Sequence, residues 1–252
     1  MDIGIGTAKQ IYDIAKKQGW IDQLRSLFKK RYKVLMLGSS GVGKTNLIQS
    51  LTRDMPDVIH YSTRTAGAPA SSMEIHSIPF SFIDTPGQEA HESVRMHAIR
   101  KHCGSVDLVI NVVCYGYHEY ARGKTQAITG DGSIDPKYLE MNRTREISAV
   151  QEWNGILGGV APYRLLTVIA KADIWWHLHE EVSFHYEQGE YFKALGAAKS
   201  LNPVVTPHSS VFHKLYGVGP LSGHFDEQNR ILTRANLLKV IVELIGEGGA
   251  NV

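Results

Sequence analysis

An α/β fold with a mainly parallel sheet, one antiparallel edge strand and helices on both faces is the architecture this sequence predicts. Three observations lead to it. Short apolar runs at residues 34–37, 107–113 and 164–170 alternate with stretches of helical periodicity. That is the order expected of strand–helix–strand units whose sheet is covered on both sides. The first of these runs passes directly into a glycine-rich loop and then a helical pattern beginning near Lys44, a strand–loop–helix unit. Finally, residues 73–78 and 80–83 are separated only by Pro79 and read as a β-hairpin, which supplies the antiparallel edge.

Composition bounds what such a chain can be. Its 252 residues suffice for one large domain or one domain with appendages. With 43% apolar and 21% charged residues it has the make-up of an ordinary globular protein. A formal charge of +2 gives no support to a nucleic-acid-coating surface, and no nucleic-acid partner is expected. Cys103 and Cys114 are too few for a disulfide framework and lack zinc-ligand spacing. They read as buried thiols in a reducing cytoplasm. The 12 histidines are scattered, and pairs such as His177 and His179 fall in no recognisable ligand set. No apolar run reaches the roughly 18–20 residues of a membrane span, and the N-terminus lacks the basic-then-apolar order of a secretory signal.

Taken in order, residues 1–32 read as an N-terminal extension of two short helices broken at Gly19. In the second, Trp20, Ile21, Leu24, Leu27 and Phe28 share a face, followed by the basic cluster Lys29, Lys30, Arg31 and Lys33. Packing on the domain, or against a partner, is favoured over peripheral membrane contact through residues 20–33, because the charge run is short. Residues 38–45 read Gly-Ser-Ser-Gly-Val-Gly-Lys-Thr, the phosphate-binding pattern G-x-x-x-x-G-K-T. Backbone N–H groups of so glycine-rich a loop can curl around phosphate oxygens, and the helix N-terminus adds partial positive charge. Ser40, Gly41, Val42, Gly43, Lys44, Thr45 and Asn46 are therefore the nucleotide-binding candidates. Lys44 reaches the β- and γ-phosphates, and the Thr45 hydroxyl is placed for Mg²⁺.

After the polar stretch 61–72 and the hairpin comes Asp84-Thr85-Pro86-Gly87-Gln88-Glu89. An Asp at the carboxyl end of an apolar strand that follows a phosphate loop is expected to hold Mg²⁺ indirectly, behind the groups that touch the ion, and the N–H of Gly87 is free to meet a γ-phosphate. Here the chain resembles the small GTPases of the Ras superfamily, within the wider TRAFAC class. That resemblance implies that Gln88 orients the attacking water, with Lys44 as its catalytic companion, and that residues 84–100 form a second switch. It also implies a first switch at 61–72 whose threonine ligates Mg²⁺. Thr63 and Thr65 compete for that role. Thr65, standing at the Arf-like spacing before Asp84, is preferred over Thr63, whose pairing with Arg64 resembles bacterial GTPases.

The segment 115–142 is longer than a family loop and reads as an insert, bearing Tyr115, Tyr117, Tyr120, Arg122 and Lys124. A passive or partner-holding role is favoured over a catalytic Arg122, and Arg95 and Arg100 read as solvated helix arginines. A helix is expected over 143–157, another over 187–200, a strand at 203–206 and a last helix with Ile231, Ala235, Leu238, Val242 and Ile245 facing the core. Ala170-Lys171-Ala172-Asp173 resembles the base-reading Asn-Lys-x-Asp motif of the family. Asp173 would accept two hydrogen bonds from guanine, which adenine does not offer, and the Lys171 stem would cover the base. Ala170 stands where the family's Asn ties the base site to the phosphate loop. Ser209 and Ser210 are a loose match to the loop that meets guanine O6.

The resemblance thus implies a cytoplasmic, Mg²⁺-dependent GTPase over residues 33–252. It would hydrolyse GTP slowly without a partner and signal through residues 61–72 and 84–100. The competing readings are a nucleotide-dependent scaffold with little hydrolysis and an ATPase of the same loop class.

Overall fold

The computed structural model describes residues 31–52, 70–75, 78–86, 92–120, 123–157, 164–196, 203–218 and 225–246. The N-terminal extension over 1–30, Thr63, Thr65, Gly87, Gln88 and Arg122 lie outside them.

Six strands form one sheet in the order β2-β3-β1-β4-β5-β6. They are β1 (Tyr32–Leu37), β2 (Ala70–Ile75), β3 (Ile78–Asp84), β4 (Leu108–Val113), β5 (Leu165–Ile169) and β6 (Val204–Pro207). The hairpin strands β2 and β3 pair antiparallel, with Ser72 opposite Ser81. Every other pairing is parallel. β4 and β5 are buried at every residue, and Val34, Leu35, Met36 and Leu37 of β1 have no exposed surface. Burial on both faces explains why these strands are continuous apolar runs instead of alternating ones. Each fully buried Leu or Val contributes about 1.5–3 kcal/mol relative to exposure. Pro207 ends the edge strand β6, where its missing N–H costs no interior ladder bond.

The helices are α1 (Lys44–Thr52), α2 (Glu92–His102), α3 (Lys124–Ala127), α4 (Pro136–Leu157), α5 (Ala172–Trp175), α6 (His179–Glu187), α7 (Glu190–Leu195) and α8 (Glu227–Gly246). α8 buries Ala235, Leu238, Val242 and Ile245 as its periodicity predicts, and adds Leu237, Ile241 and Leu244 to a broader apolar face.

Three stretches depart from the sequence expectation. The hairpin strands run over 70–75 and 78–84 in place of 73–78 and 80–83, so residues 70–72 are strand and Pro79 lies inside β3, ahead of the first β1 pairing at Phe80, where its missing N–H costs no bond to β1. Helix α4 begins at Pro136, so the last seven residues assigned to the insert are helical. Pro136 tolerates the first helical position because its missing N–H has no intrahelical partner there. Asp135 accepts the Lys137 N–H at 2.9 Å through its side chain, an N-cap bond. The part of that segment before Pro136 carries α3 and a small bridge between Ile128 and Ile134. Instead of a helix starting at Glu187, the chain builds α5, α6 and α7 between residues 172 and 195; residues 197–200 of the expected helix lie outside the described residues. These three helices are held by Trp175, Tyr186 and Tyr191, all buried. Their aromatic and histidine-rich sequence shows no aliphatic stripe, and Gly189 breaks α6 from α7. A side chain at Gly189 would lie 2.8 Å from the His185 carbonyl.

Candidate nucleotide site

Parallel register brings the carboxyl ends of five strands to one edge: Met36 faces Asp84, Leu37 faces Asn111, Val113 faces Ile169, and Ile169 faces Pro207. Backbone bonds continue the alignment one residue further. Thr85 donates to the Met36 carbonyl at 3.3 Å, Ala170 to Val113 at 2.7 Å and His208 to Ile169 at 2.9 Å. Motifs more than a hundred residues apart in sequence thus emerge side by side, at the edge where open α/β sheets bind ligands.

In the phosphate loop, Gly38, Gly41 and Gly43 adopt φ of 144°, 78° and 102°. The Lys44 ammonium is buried and donates to the carbonyls of Gly38 at 2.7 Å and Ser39 at 3.1 Å. Burial lowers its pKa to about 8, opposed by the charge of Asp84. A phosphate arriving in the loop would favour the charged form and give it a better partner than two carbonyls. Thr45 is half-buried at the start of α1, and Asp84 is buried at the end of β3. Hydroxyl and carboxylate oxygens are the donors a hard cation such as Mg²⁺ takes. Ser40 and Asn46, like Thr45, keep partial exposure along the loop and first turn, whereas Val42 is buried beneath it.

The base-reading segment follows β5. Lys171 stands in the left-handed region at φ 58° and ψ 37°, a conformation that costs on the order of 1–3 kcal/mol in a non-glycine residue. What holds it there is its side chain: the ammonium donates to the Tyr117 carbonyl at 2.7 Å and to the Gly41 carbonyl at 3.0 Å. In this way Lys171 joins the base-reading segment to the phosphate loop, the connection for which Ala170 has no side chain. Asp173 has no exposed surface. One carboxylate oxygen accepts the Ser209 hydroxyl at 2.6 Å, and the other accepts the His213 backbone N–H at 2.5 Å. The His213 imidazole Nδ1 lies 3.4 Å from the first oxygen. The carboxyl group is held below its ordinary pKa by these His213 and Ser209 interactions, which outweigh the opposing effect of burial. Ser209 and Ser210 are both buried in the same loop.

Sequence reasoning missed three participants. The start of the insert lies on the phosphate loop: Glu119 donates its N–H to the Gly41 carbonyl at 3.1 Å. Arg95 is buried, unlike the exposed Arg100, and its guanidinium donates to the Pro86 carbonyl at 3.3 Å and to Glu152 at 3.3 Å. The expectation of a solvated arginine therefore fails at Arg95, which ties α2 to α4. His213 shares the Asp173 carboxylate, four residues beyond Ser209, and no local pattern marks it. Arg143 stacks over Tyr115 at 4.8 Å and Arg145 over Tyr120 at 5.9 Å, so these two arginines are held against aromatic rings.

Residues 33–149 match the family model described as 50S ribosome-binding GTPase. No curated protein matches the sequence at a significant level. Among solved structures, the chain is similar to the Arl6 BBS3 small GTPase of Trypanosoma brucei, solved with the nucleotide analogue GppNp. The identity is 16%, 85% of this chain and 98% of that one are covered, and the TM-score is 0.46. It is also similar to the ADP-ribosylation factor-like small COPII coat GTPase SAR1 of Encephalitozoon cuniculi, solved with GDP, at 18% identity, 98% and 94% coverage and a TM-score of 0.47. The mammalian SRP receptor aligns at 14% identity over 84% of this chain and 99% of that one, with a TM-score of 0.48. Among the described residues, no helix is long and apolar enough to cross a membrane. The GTPase family match thus spans the phosphate loop, the Asp84 strand and β4.

Proposed function

We propose that this GTPase works as a nucleotide-dependent switch. GTP and Mg²⁺ hold residues 61–72 and 84–100 in one arrangement, and hydrolysis to GDP and phosphate releases them toward a protein partner. The observation that supports this reading best is the convergence of Lys44, Asp84, Lys171, Asp173 and Ser209 on one sheet edge. Lys44 and the loop N–H groups neutralise charge on the transferring phosphoryl group, and Gln88 orients the water. Thr45, Asp84 and Thr65 would hold Mg²⁺, which supplies charge neutralisation when bound. Thr65 and Gly87 sense the γ-phosphate, and its loss frees both segments.

Guanine recognition by Asp173 requires the His213 segment to yield. A carboxylate has about four acceptor sites, and Ser209 and His213 fill part of that capacity while covering the group completely. Base entry is then coupled to movement of residues 209–213, and nucleotide association is slower than at an open site.

Single-turnover hydrolysis of GTP by the wild type and by Gln88→Leu tests the chemistry. Wild-type turnover in the range of GTPases lacking an arginine finger, on the order of 10⁻⁴ s⁻¹, with a slower variant, supports hydrolysis. Equal inertness of the two with every candidate partner leaves the scaffold reading. Displacement of bound labelled GTP by GDP and not by ADP supports Asp173 as base reader, and the reverse preference removes it.

A further inference from the structure

At the carboxyl end of β4, Cys114, His118 and Glu146 meet in the protein interior. Cys114 follows the last residue of β4, His118 lies four residues on, and Glu146 projects from α4. All three are buried, Cys114 and His118 with no exposed surface and Glu146 at 2%. The Cys114 sulfur is 3.5 Å from His118 Nδ1, and His118 Nε2 is 3.7 Å from Glu146 Oε1. One donor atom from each residue lies within 4.8 Å of the others. His118 Nε2 is buried and has no hydrogen-bond partner, so an imidazole nitrogen points at a carboxylate without completing a bond.

We propose that Cys114, His118 and Glu146 form a binding site for a zinc-class divalent ion, separate from the Mg²⁺ of the nucleotide. Thiolate, imidazole and carboxylate are the donor types zinc accepts, whereas Mg²⁺ takes oxygen. Donors at 2.0–2.3 Å from a tetrahedral ion stand roughly 3.3–3.6 Å apart; with a single His118 nitrogen as ligand, the three donor atoms already lie within 4.8 Å of one another, and closing on the ion takes a further shift of about 1 Å. Thiolate and carboxylate together cancel a double positive charge, which a fully buried site demands. The carboxylate is already oriented: Oε1 accepts the Cys114 N–H at 2.9 Å, and Oε2 accepts the Tyr186 hydroxyl at 2.5 Å. Such supporting bonds orient metal ligands in known sites.

The site also has a structural consequence. Residues 114–119 carry the Tyr117 carbonyl that receives Lys171 and the Glu119 N–H that donates to Gly41. An ion bridging this segment to α4 would brace the wall of the phosphate loop. Because all three residues are buried, the ion enters as the chain folds.

The test uses the full chain, refolded from denaturant with Co²⁺ and without nucleotide or Mg²⁺. The expected result is one Co²⁺ per chain with the near-ultraviolet thiolate-to-cobalt band and the intense visible bands of a tetrahedral site. Cys103→Ser keeps both signals and Cys114→Ser loses the thiolate band. His118→Gln and Glu146→Gln weaken Co²⁺ at least about tenfold, since losing even a group that only supports a ligand costs about 10–100-fold. If a variant at 114, 118 or 146 fails to refold, Cys103→Ser alone decides, since its thiolate band can come only from Cys114. A wild type without the band, a Cys103→Ser protein without it, or Cys114→Ser retaining it overturns the proposal. So do His118→Gln and Glu146→Gln proteins that bind Co²⁺ like the wild type.

Discussion

Gly41 and Gly43 sit two residues apart in the same loop, both at positive φ, yet substitution by alanine should damage them in different ways. At Gly41, φ is 78°, and a Cβ would lie 2.6 Å from the Glu119 carbonyl oxygen, 2.7 Å from its nitrogen and 2.9 Å from its carbonyl carbon. Those are backbone atoms and cannot swing aside. Gly41→Ala therefore incurs about 1–2 kcal/mol for the left-handed conformation. It also displaces the insert wall, weakening the 3.1 Å bond from Glu119 and the 3.0 Å bond from Lys171 to the Gly41 carbonyl. Losing the first costs about 1 kcal/mol, and strain on the charged second adds a comparable amount. The total is about 3–4 kcal/mol. In a chain of this size that lowers Tm by roughly 6–16 °C. At Gly43, φ is 102° and a Cβ would meet nothing within 4 Å. Gly43→Ala carries only the conformational cost, about 1–2 kcal/mol or roughly 2–8 °C, but its methyl stands where phosphate oxygens approach the backbone. Thermal unfolding without nucleotide, paired with fluorescent GDP binding, separates the effects. Gly41→Ala should lose the most stability, while Gly43→Ala stays nearer wild type and loses at least tenfold in affinity. A Gly41→Ala protein as stable as wild type, or a Gly43→Ala protein that binds normally, refutes the reasoning.

Lys171→Met removes two charge-assisted bonds worth about 1.5–3 kcal/mol each, partly offset by relaxation of the left-handed backbone. Nucleotide release measured by fluorescence should accelerate at least about tenfold, and an unchanged rate would show that the Gly41 tie is idle. Asp173→Asn keeps the shape but turns an acceptor into an amide donor facing either the Ser209 hydroxyl or the His213 N–H. It should lower stability by about 1–3 kcal/mol in urea unfolding, before any nucleotide is added. His208 is buried, with Nε2 3.0 Å from the Ser50 hydroxyl, and burial lowers its pKa from 6.5 to about 3. The unfolded chain binds the extra proton first, so the stability that His208 contributes is present above pH 6.5 and lost as pH falls toward 3. Between pH 6.5 and 5 the loss should reach about 2 kcal/mol. His208→Gln should flatten that part of the stability–pH profile, and a variant as acid-sensitive as wild type over that window would assign the effect elsewhere.

Several residues were legible because their signals are local. Gly38, Gly41 and Gly43 are required by a backbone that must turn through positive φ within eight residues, and the lysine and threonine follow at fixed offsets. Asp84 was legible as the residue that ends an apolar strand. β1, β4 and β5 announced themselves because a strand buried on both faces has no polar phase to confuse its reading. α4 was misjudged at its start because Asp135-Pro136 serves equally as a turn or as a helix cap and first turn. The helices between 172 and 195 were missed because their buried faces are made of Trp175, Tyr186 and Tyr191 instead of an aliphatic stripe.

By itself, the sequence determined a glycine-rich loop of the phosphate-binding pattern after an apolar strand, an acidic residue at the end of a later strand, and a segment that resembles a base-reading motif. Those are properties of short segments, set by backbone geometry and hydrophobic period. Only the tertiary structure decided what crosses between segments. Lys171 reaches Gly41 across 130 positions. His213 shares a carboxylate with Ser209, Arg95 is drawn into the interior, and Cys114, His118 and Glu146 are buried within reach of one another. Each of these depends on which strand lies beside which and on where two distant chain segments emerge along a common edge, and neither is written in the spacing of residues.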